Sequence, residues 1–105
     1  MHNGYRRYPR YSVNVRALIT RLDESPPEKL TAQISTISQG GIGFYSNTFL
    51  GRSTPVAVEL FIDAVGRIGI LEGKIASICS QGKDYFVGIS FDKTISDDCF
   101  AAIFG

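Results

Sequence analysis

Apolar and polar residues alternate along most of this chain, in short segments that are separated by turn-forming residues. In the first segment, residues 11–20, the apolar side chains fall on every second position: Val13, Val15, Ala17 and Ile19. The same period of two recurs in residues 30–34, 56–63 and 85–92. A period of two is typical of a β-strand with one buried face, so each segment predicts such a strand.

Glycines, prolines and acidic residues mark the breaks between these strands. Residues 23–28 combine two adjacent prolines with three acids and predict a solvated loop. Gly40-Gly41 ends the second strand, and the apolar residues that follow it begin another short strand. Val65-Gly66 and residues 81–84 predict two further turns.

One apolar segment, residues 68–78, does not keep a constant phase. Its alternation changes near Leu71, and Gly69 and Gly73 lie on either side of that point. Glycine inside a strand often marks a bulge or a sharp bend. We therefore predict a bulge or a sharp bend in the strand at or near these glycines.

The end of the chain predicts a short helix. Ser96 is a suitable N-cap, and Asp97 and Asp98 place acids in the first turn. The apolar residues that follow share one helical face: Phe100, Ile103 and Phe104. Because about two turns of helix are not stable alone, the helix must pack on the sheet. The whole pattern favours an all-β fold, a small antiparallel β-barrel of six or seven strands with a short C-terminal helix.

Length and composition predict one globular domain without a membrane segment. The chain has 105 residues, of which 44% are hydrophobic and 20% charged, as in ordinary globular proteins. No apolar run approaches the roughly 18 residues that span a bilayer. The Arg-rich N-terminus lacks the apolar segment of a secretory signal. We therefore expect a cytoplasmic protein.

The residues that could bind a metal or act as nucleophiles are few. Cys79 and Cys99 are far apart, and His2 is the only histidine, whereas zinc takes about four ligands. We expect each cysteine to be a small core residue, and an intracellular context disfavours a disulfide. Ser38 has no histidine or lysine base nearby in sequence. The sequence predicts no metal site, no cofactor and no catalytic residue.

Positive charge is concentrated near the N-terminus. The net charge is only +1, yet residues 1–21 contain no acid. They contain five arginines: Arg6, Arg7, Arg10, Arg16 and Arg21. We expect these guanidiniums to be unopposed, so that they would attract an anion locally.

Two short motifs carry the candidate chemistry. Residues 6–10 read Arg-Arg-Tyr-Pro-Arg, which places three guanidiniums around a proline that prevents a helix. Residues 36–44 read Thr-Ile-Ser-Gln-Gly-Gly-Ile-Gly-Phe, a polar turn followed by a new apolar run. The first motif offers planar cationic donors, and the second offers backbone that a ligand can approach. Together they indicate a site for an anion that also carries flat rings.

With these motifs the chain resembles the PilZ family, whose members bind the bacterial second messenger cyclic di-GMP. The resemblance covers nearly the whole chain and rests on three motifs: Arg6-x-x-x-Arg10, Thr36-x-Ser38-x-x-Gly41, and Val-Gly-Ile-Ser-Phe at residues 87–91. It implies a cyclic di-GMP receptor that is not an enzyme.

The resemblance also implies a role for each site residue. Arg6 and Arg10 would clamp the ligand by stacking on guanine, by donating to its O6 and N7, and by pairing with phosphate. Arg7 would add charge. The floor of the site would be formed by Thr36, Ser38, Gly40 and Gly41, where the serine hydroxyl bonds the ligand and glycine leaves room for it.

Two positions depart from the family pattern. The family usually has Asp or Asn at the position of Thr36, where a carboxylate can accept hydrogen bonds from the guanine N1 and N2 edge. Losing one such bond costs about 1.5–3 kcal/mol, which is roughly tenfold or more in affinity. Many relatives have a further arginine at the position of Tyr5, associated with gripping a stacked ligand dimer. Its absence favours one ligand per site.

The sequence therefore predicts a flexible arm, residues 1–11, and a PilZ-like barrel with its terminal helix, residues 12–105. The arm would close over the ligand and change a surface that an unidentified protein partner recognises. Two alternatives remain. Thr36 makes possible a PilZ-like interaction module that binds no nucleotide, and the Arg and Tyr residues of the arm would suit a barrel that binds single-stranded nucleic acid. We prefer the interpretation that the arm's tyrosines pack it onto the barrel.

Overall fold

A computed structural model describes residues 11–63 and 65–104, with the backbone alone for residues 11–13. This part of the chain forms six β-strands and one α-helix: β1 (Tyr11–Arg21), β2 (Lys29–Ser38), β3 (Gly41–Ser46), β4 (Pro55–Ile62), β5 (Gly66–Gln81), β6 (Asp84–Phe91) and α1 (Asp97–Phe104). The predicted all-β fold with a C-terminal helix is confirmed.

The six strands close into an antiparallel barrel in the order β1-β2-β3-β6-β5-β4. Four of the neighbouring pairs follow one another in sequence, whereas β1 pairs with β4 and β3 pairs with β6 across longer connections. Closure pairs each strand on both sides, so the barrel has no free edge.

The barrel interior is filled by the apolar positions that the alternation predicted. In β1, for example, Val15, Ala17 and Ile19 are all buried. Two loop residues, Leu50 and Ile95, are also fully buried in the core. Leu50 follows β3 and Ile95 follows β6, and these strands are antiparallel, so the two side chains close opposite ends of the barrel.

The long strand β5 contains two bulges. The first is at Ile68, directly before Gly69, where the pairing with β4 shifts by one residue. The second is at Ala76, where the pairing with β6 shifts. The predicted bulge at Gly69 is thus confirmed, but no register shift occurs at Gly73. Glycine is needed at position 73 for a different reason: a Cβ there would collide with the carbonyl oxygen of Ser90 on β6.

The predicted helix is present and packs on the barrel through partly buried side chains. The N-cap at Ser96 is confirmed, since its hydroxyl oxygen accepts from the backbone N–H of Cys99 at 3.2 Å. Cys99, Phe100 and Ile103 pack against the core. Phe104 does not pack against the core as expected, since its side chain is exposed. Its ring contacts that of Phe100 edge-on, with centroids 4.9 Å apart.

The two cysteines are free thiols in different surroundings. The expectation that both are core residues is wrong for Cys79, which is exposed. The bulge at Ala76 is the reason, because it changes the phase of β5 so that Ile78 packs against the core after Ile75. Cys99 is half-buried, and its burial raises the pKa of the thiol.

Candidate functional site

The polar turn of residues 38–41 connects β2 to β3. Ser38 and Gly41 are paired across the hairpin, which leaves Gln39 and Gly40 as the turn. The Ser38 hydroxyl oxygen accepts from the Gly40 N–H at 3.2 Å and donates to the Gly41 carbonyl at 3.5 Å. Ser38 is only 6% exposed. Its side chain therefore holds the turn in shape from within.

This turn is also fixed from outside, by the end of β6 and by the segment that leads into α1. The carbonyl of Gly40 accepts from the N–H of Phe91 at 2.9 Å, and that of Gln39 accepts from the N–H of Ile95 at 2.8 Å. The Gln39 amide donates to Asp97 in the first turn of α1 at 3.1 Å. The candidate ligand floor is thus hydrogen-bonded to the start of the helix.

Gly41 is required by the packing of the barrel itself. It is buried in the pairing of β3 with β6, opposite Ser90. A Cβ at this position would collide with the backbone carbonyl oxygen of Ile89. The sequence suggested only a turn or room for a ligand, whereas the structure shows that a neighbouring strand occupies the space.

Thr36 owes its orientation to a bulge that the alternation did not reveal. The register between β2 and β3 shifts at Ser35, and as a result both Ile34 and Ile37 are buried in the core. Thr36 lies between them and faces the outer side of Gly43, its partner on β3: a Cβ at Gly43 would lie 2.9 Å from the Thr36 Oγ1. The threonine is half-buried.

The first strand enters the barrel beside these residues. In the pairing of β1 with β2, Tyr11 is opposite Ile37 and Ser12 is opposite Thr36. The structure thus brings Thr36, Ser38, Gly40 and Gly41 together in one hairpin next to the start of β1. The other predicted site residues lie outside the described residues: Arg6, Arg7 and Arg10.

The expectation that all five N-terminal arginines are unopposed is wrong for two of them. Arg16 forms an exposed ion pair with Asp63, which directly follows the neighbouring strand β4. Arg21 pairs with three acids of the loop after β1: Asp23, Glu24 and Glu28. Hydrogen bonding to Asp23 raises the pKa of Arg21. These acids follow in sequence or come from another hairpin, so a count over residues 1–21 could not include them.

Within residues 11–63 and 65–104, no three His, Cys, Asp or Glu side chains come close enough to hold a metal ion. The same residues contain no helix that is long and apolar enough to cross a membrane.

Comparison with known proteins identifies the family. The PilZ domain model matches residues 5–103, almost the whole chain. The chain belongs to the PilZ domain family. PilZ domains are non-catalytic, so this domain is not an enzyme. No curated protein matches the sequence.

Several solved structures share the fold. The PilZ domain of Escherichia coli YcgR, solved with cyclic di-GMP, is 21% identical with a TM-score of 0.59, and the match covers 93% of this chain and 85% of that one. K. pneumonia MrkH, in complex with cyclic di-GMP, is 18% identical with a TM-score of 0.67, covering 90% and 48%. The Bacillus subtilis inhibitor of motility MotI/DgrA is 13% identical with a TM-score of 0.69, covering 98% and 49%.

The chain therefore spans about half the length of MotI/DgrA and MrkH. At these identities the three structures establish the fold.

Gly41→Ala tests the packing role of this glycine. The added methyl would collide with backbone, which cannot move aside as a flexible side chain can. We expect a loss of about 1–3 kcal/mol in the free energy of unfolding, measured by urea denaturation. The control is Gly51→Ala, where the nearest atom would be 3.6 Å from the new Cβ. An equal effect of the two substitutions would show that the seam between β3 and β6 tolerates a side chain.

Proposed function

We propose that this PilZ domain is a cytoplasmic receptor for cyclic di-GMP. Its ligand floor would be formed by Thr36, Ser38, Gly40 and Gly41. Its clamp would be formed by Arg6 and Arg10, with Arg7 adding charge. The proposal joins the two sequence motifs into one site.

The observation that supports it most is the point where β1 joins the barrel. Tyr11 pairs with Ile37, which lies between Thr36 and Ser38. Consecutive Cα atoms are about 3.8 Å apart, so Arg10 is tethered by one peptide bond to the strand beside the polar turn. Arg6 is four residues further on, and an extended chain of that length reaches roughly 13–14 Å. Both arginines can therefore reach a ligand that rests on the hairpin.

The chemistry of the two halves suits a cyclic dinucleotide. Guanidinium groups stack on purines, donate in a fork to guanine O6 and N7, and pair with phosphates. Arg16 and Arg21 are already paired with carboxylates. The role of the clamp therefore falls to the arginines of the arm, residues 1–11, which we propose to be flexible and to be distinct from the barrel of residues 12–105.

The contacts of the turn suggest how ligand binding could change a surface that a partner recognises. Gln39 bonds both the N–H of Ile95 and the side chain of Asp97. A ligand that closes the arm over this hairpin would change the surface formed by the arm, the turn and the start of α1. We propose that a protein partner recognises this surface in the closed state.

Calorimetric titration with cyclic di-GMP separates this function from the two alternatives. A receptor gives saturable heat at one ligand per domain. Absence of heat would favour a protein-interaction module that binds no nucleotide. Binding to single-stranded nucleic acid of any sequence, with steep salt dependence, would indicate the third function.

Arg10→Ala tests the clamp. We expect at least a tenfold loss of affinity for cyclic di-GMP with little change in Tm, because a guanidinium can act both as a stacking plane and as a forked donor. The matched control is Arg52→Ala, since Arg52 is exposed in the loop between β3 and β4. If Arg10→Ala lost stability to the same extent as it lost affinity, Arg10 would be a structural residue and the clamp would be contradicted.

Ligand binding should order the arm. Three arginines close together in sequence repel one another until an anion neutralises them. Amide hydrogen exchange with and without cyclic di-GMP should show increased protection in residues 5–10. The core strand β6 is the internal reference, since its protection should change little. Unchanged protection of residues 5–10 at saturating ligand would contradict closure of the arm.

Thr36→Asp should tighten binding, because a carboxylate restores the acceptor for the guanine N1 and N2 edge. The expected gain is about 1–2 kcal/mol, less than a full charged hydrogen bond because the ligand phosphates are near. Thr31→Asp adds the same charge at an exposed position of the same strand and should not tighten binding. Wild type and both variants are titrated with cyclic di-GMP by calorimetry at the same salt concentration, and the Tm of each is recorded. If the Thr36 variant binds no better, Thr36 does not face the base.

A further inference from the structure

The outer face of the barrel beside Thr36 contains a partly exposed aromatic ring. Gly43 on β3 and Gly88 on β6 are direct partners, so neither contributes a side chain there. The ring of Phe86 lies over Gly43: a Cβ at Gly43 would be 2.7 Å from its Cζ and 3.1 Å from its Cε2. Thr36 Oγ1 borders the same space. The ring edge and the hydroxyl thus lie next to each other over one glycine.

Phe86 is not part of the hydrophobic core. Its neighbour Val87 is buried, and Phe86, on the opposite face of β6, is only half-buried. The ring contacts Tyr45 edge-on, with centroids 4.8 Å apart and planes at 65°. Tyr45 is 55% exposed. Thr36, Phe86 and Tyr45 therefore form a continuous surface that changes from a hydroxyl to aromatic rings.

We propose that Phe86 is a base-contacting residue of this domain and that it provides an aromatic surface for a purine ring. The proposal rests on the proposed function. A guanine whose polar edge reaches Thr36 has the rest of its flat ring next to Phe86, since hydroxyl and ring flank the same glycine. Contact between a base and an aromatic side chain contributes enough to change affinity roughly tenfold.

This assignment gives the glycine at position 43 a role in the site. A larger residue at position 43 would push the Phe86 ring aside and would also crowd the Thr36 hydroxyl. Stacking on Phe86 would also compensate in part for the carboxylate that position 36 lacks, because stacking does not depend on a charged acceptor. The class of ligand is thereby narrowed to cyclic dinucleotides that carry a purine, since a pyrimidine ring offers less area to stack.

Three variants test the proposal. Phe86→Leu keeps an apolar side chain but removes the ring, and we expect it to weaken cyclic di-GMP binding roughly tenfold at nearly unchanged Tm. Phe86→Tyr keeps the ring and should bind within about twofold of wild type. The matched control is Phe49→Leu. Phe49 is 58% exposed and contacts Tyr85 edge-on at 5.6 Å, in the loop after β3, and its loss should leave affinity unchanged.

A spectroscopic measurement distinguishes ligand contact from a merely structural role. In the wild-type protein, the NMR chemical shifts of the Phe86 ring protons should change when cyclic di-GMP is added, whereas those of the Phe49 ring protons should not. Cyclic di-UMP should bind more weakly than cyclic di-GMP, and Phe86→Leu should reduce that difference.

The outcomes separate this proposal from the proposed function. If wild type binds cyclic di-GMP but Phe86→Leu binds equally well, or the ring protons of Phe86 do not move, Phe86 is not a contact and the receptor function stands. If wild type gives no binding heat, the receptor function and this assignment both fail. Should Phe86→Leu fail to fold, Phe86→Tyr and the wild-type ring protons decide the question.

Discussion

Direct pairing of β3 with β6 is the constraint on which the rest of this structure depends. These strands are far apart in sequence, and their pairing is one of the two that convert the hairpins into a closed barrel. The strands approach so closely at Gly41 that a Cβ would strike the backbone of Ile89. Glycine at this point thus permits closure, and closure removes the free strand edges at which such sheets aggregate.

The same seam positions the candidate site. Because β3 pairs with β6, the polar turn before β3 is placed against the end of β6, where Gly40 bonds Phe91 and Gln39 bonds Ile95. On the outer side, Gly43 and Gly88 face each other and leave room for the Phe86 ring beside Thr36. The residues that close the barrel and those that would bind a ligand are therefore close neighbours.

Two single-residue bulges decide which side chains reach this outer face. The bulge at Ser35 allows Ile34 and Ile37 both to be buried, which leaves Thr36 on the outside. The bulge at Ala76 has the same effect in β5, where Ile78 takes the inward position and Cys79 becomes exposed. One extra residue reverses the facing of every residue after it.

The sequence by itself determined the strands, the turns between them, the helix N-cap at Ser96 and the family, because these depend on local alternation and on motifs of a few residues. It also singled out the polar turn within residues 36–41 and the arginine-rich run of residues 6–10 as two candidate motifs. Only the tertiary structure decided the bulges at Ser35 and Ala76, the pairing of Arg16 with Asp63, and the position of Phe86 beside Thr36. Each of these depends on which strands become neighbours when the barrel closes, and no local pattern records that choice.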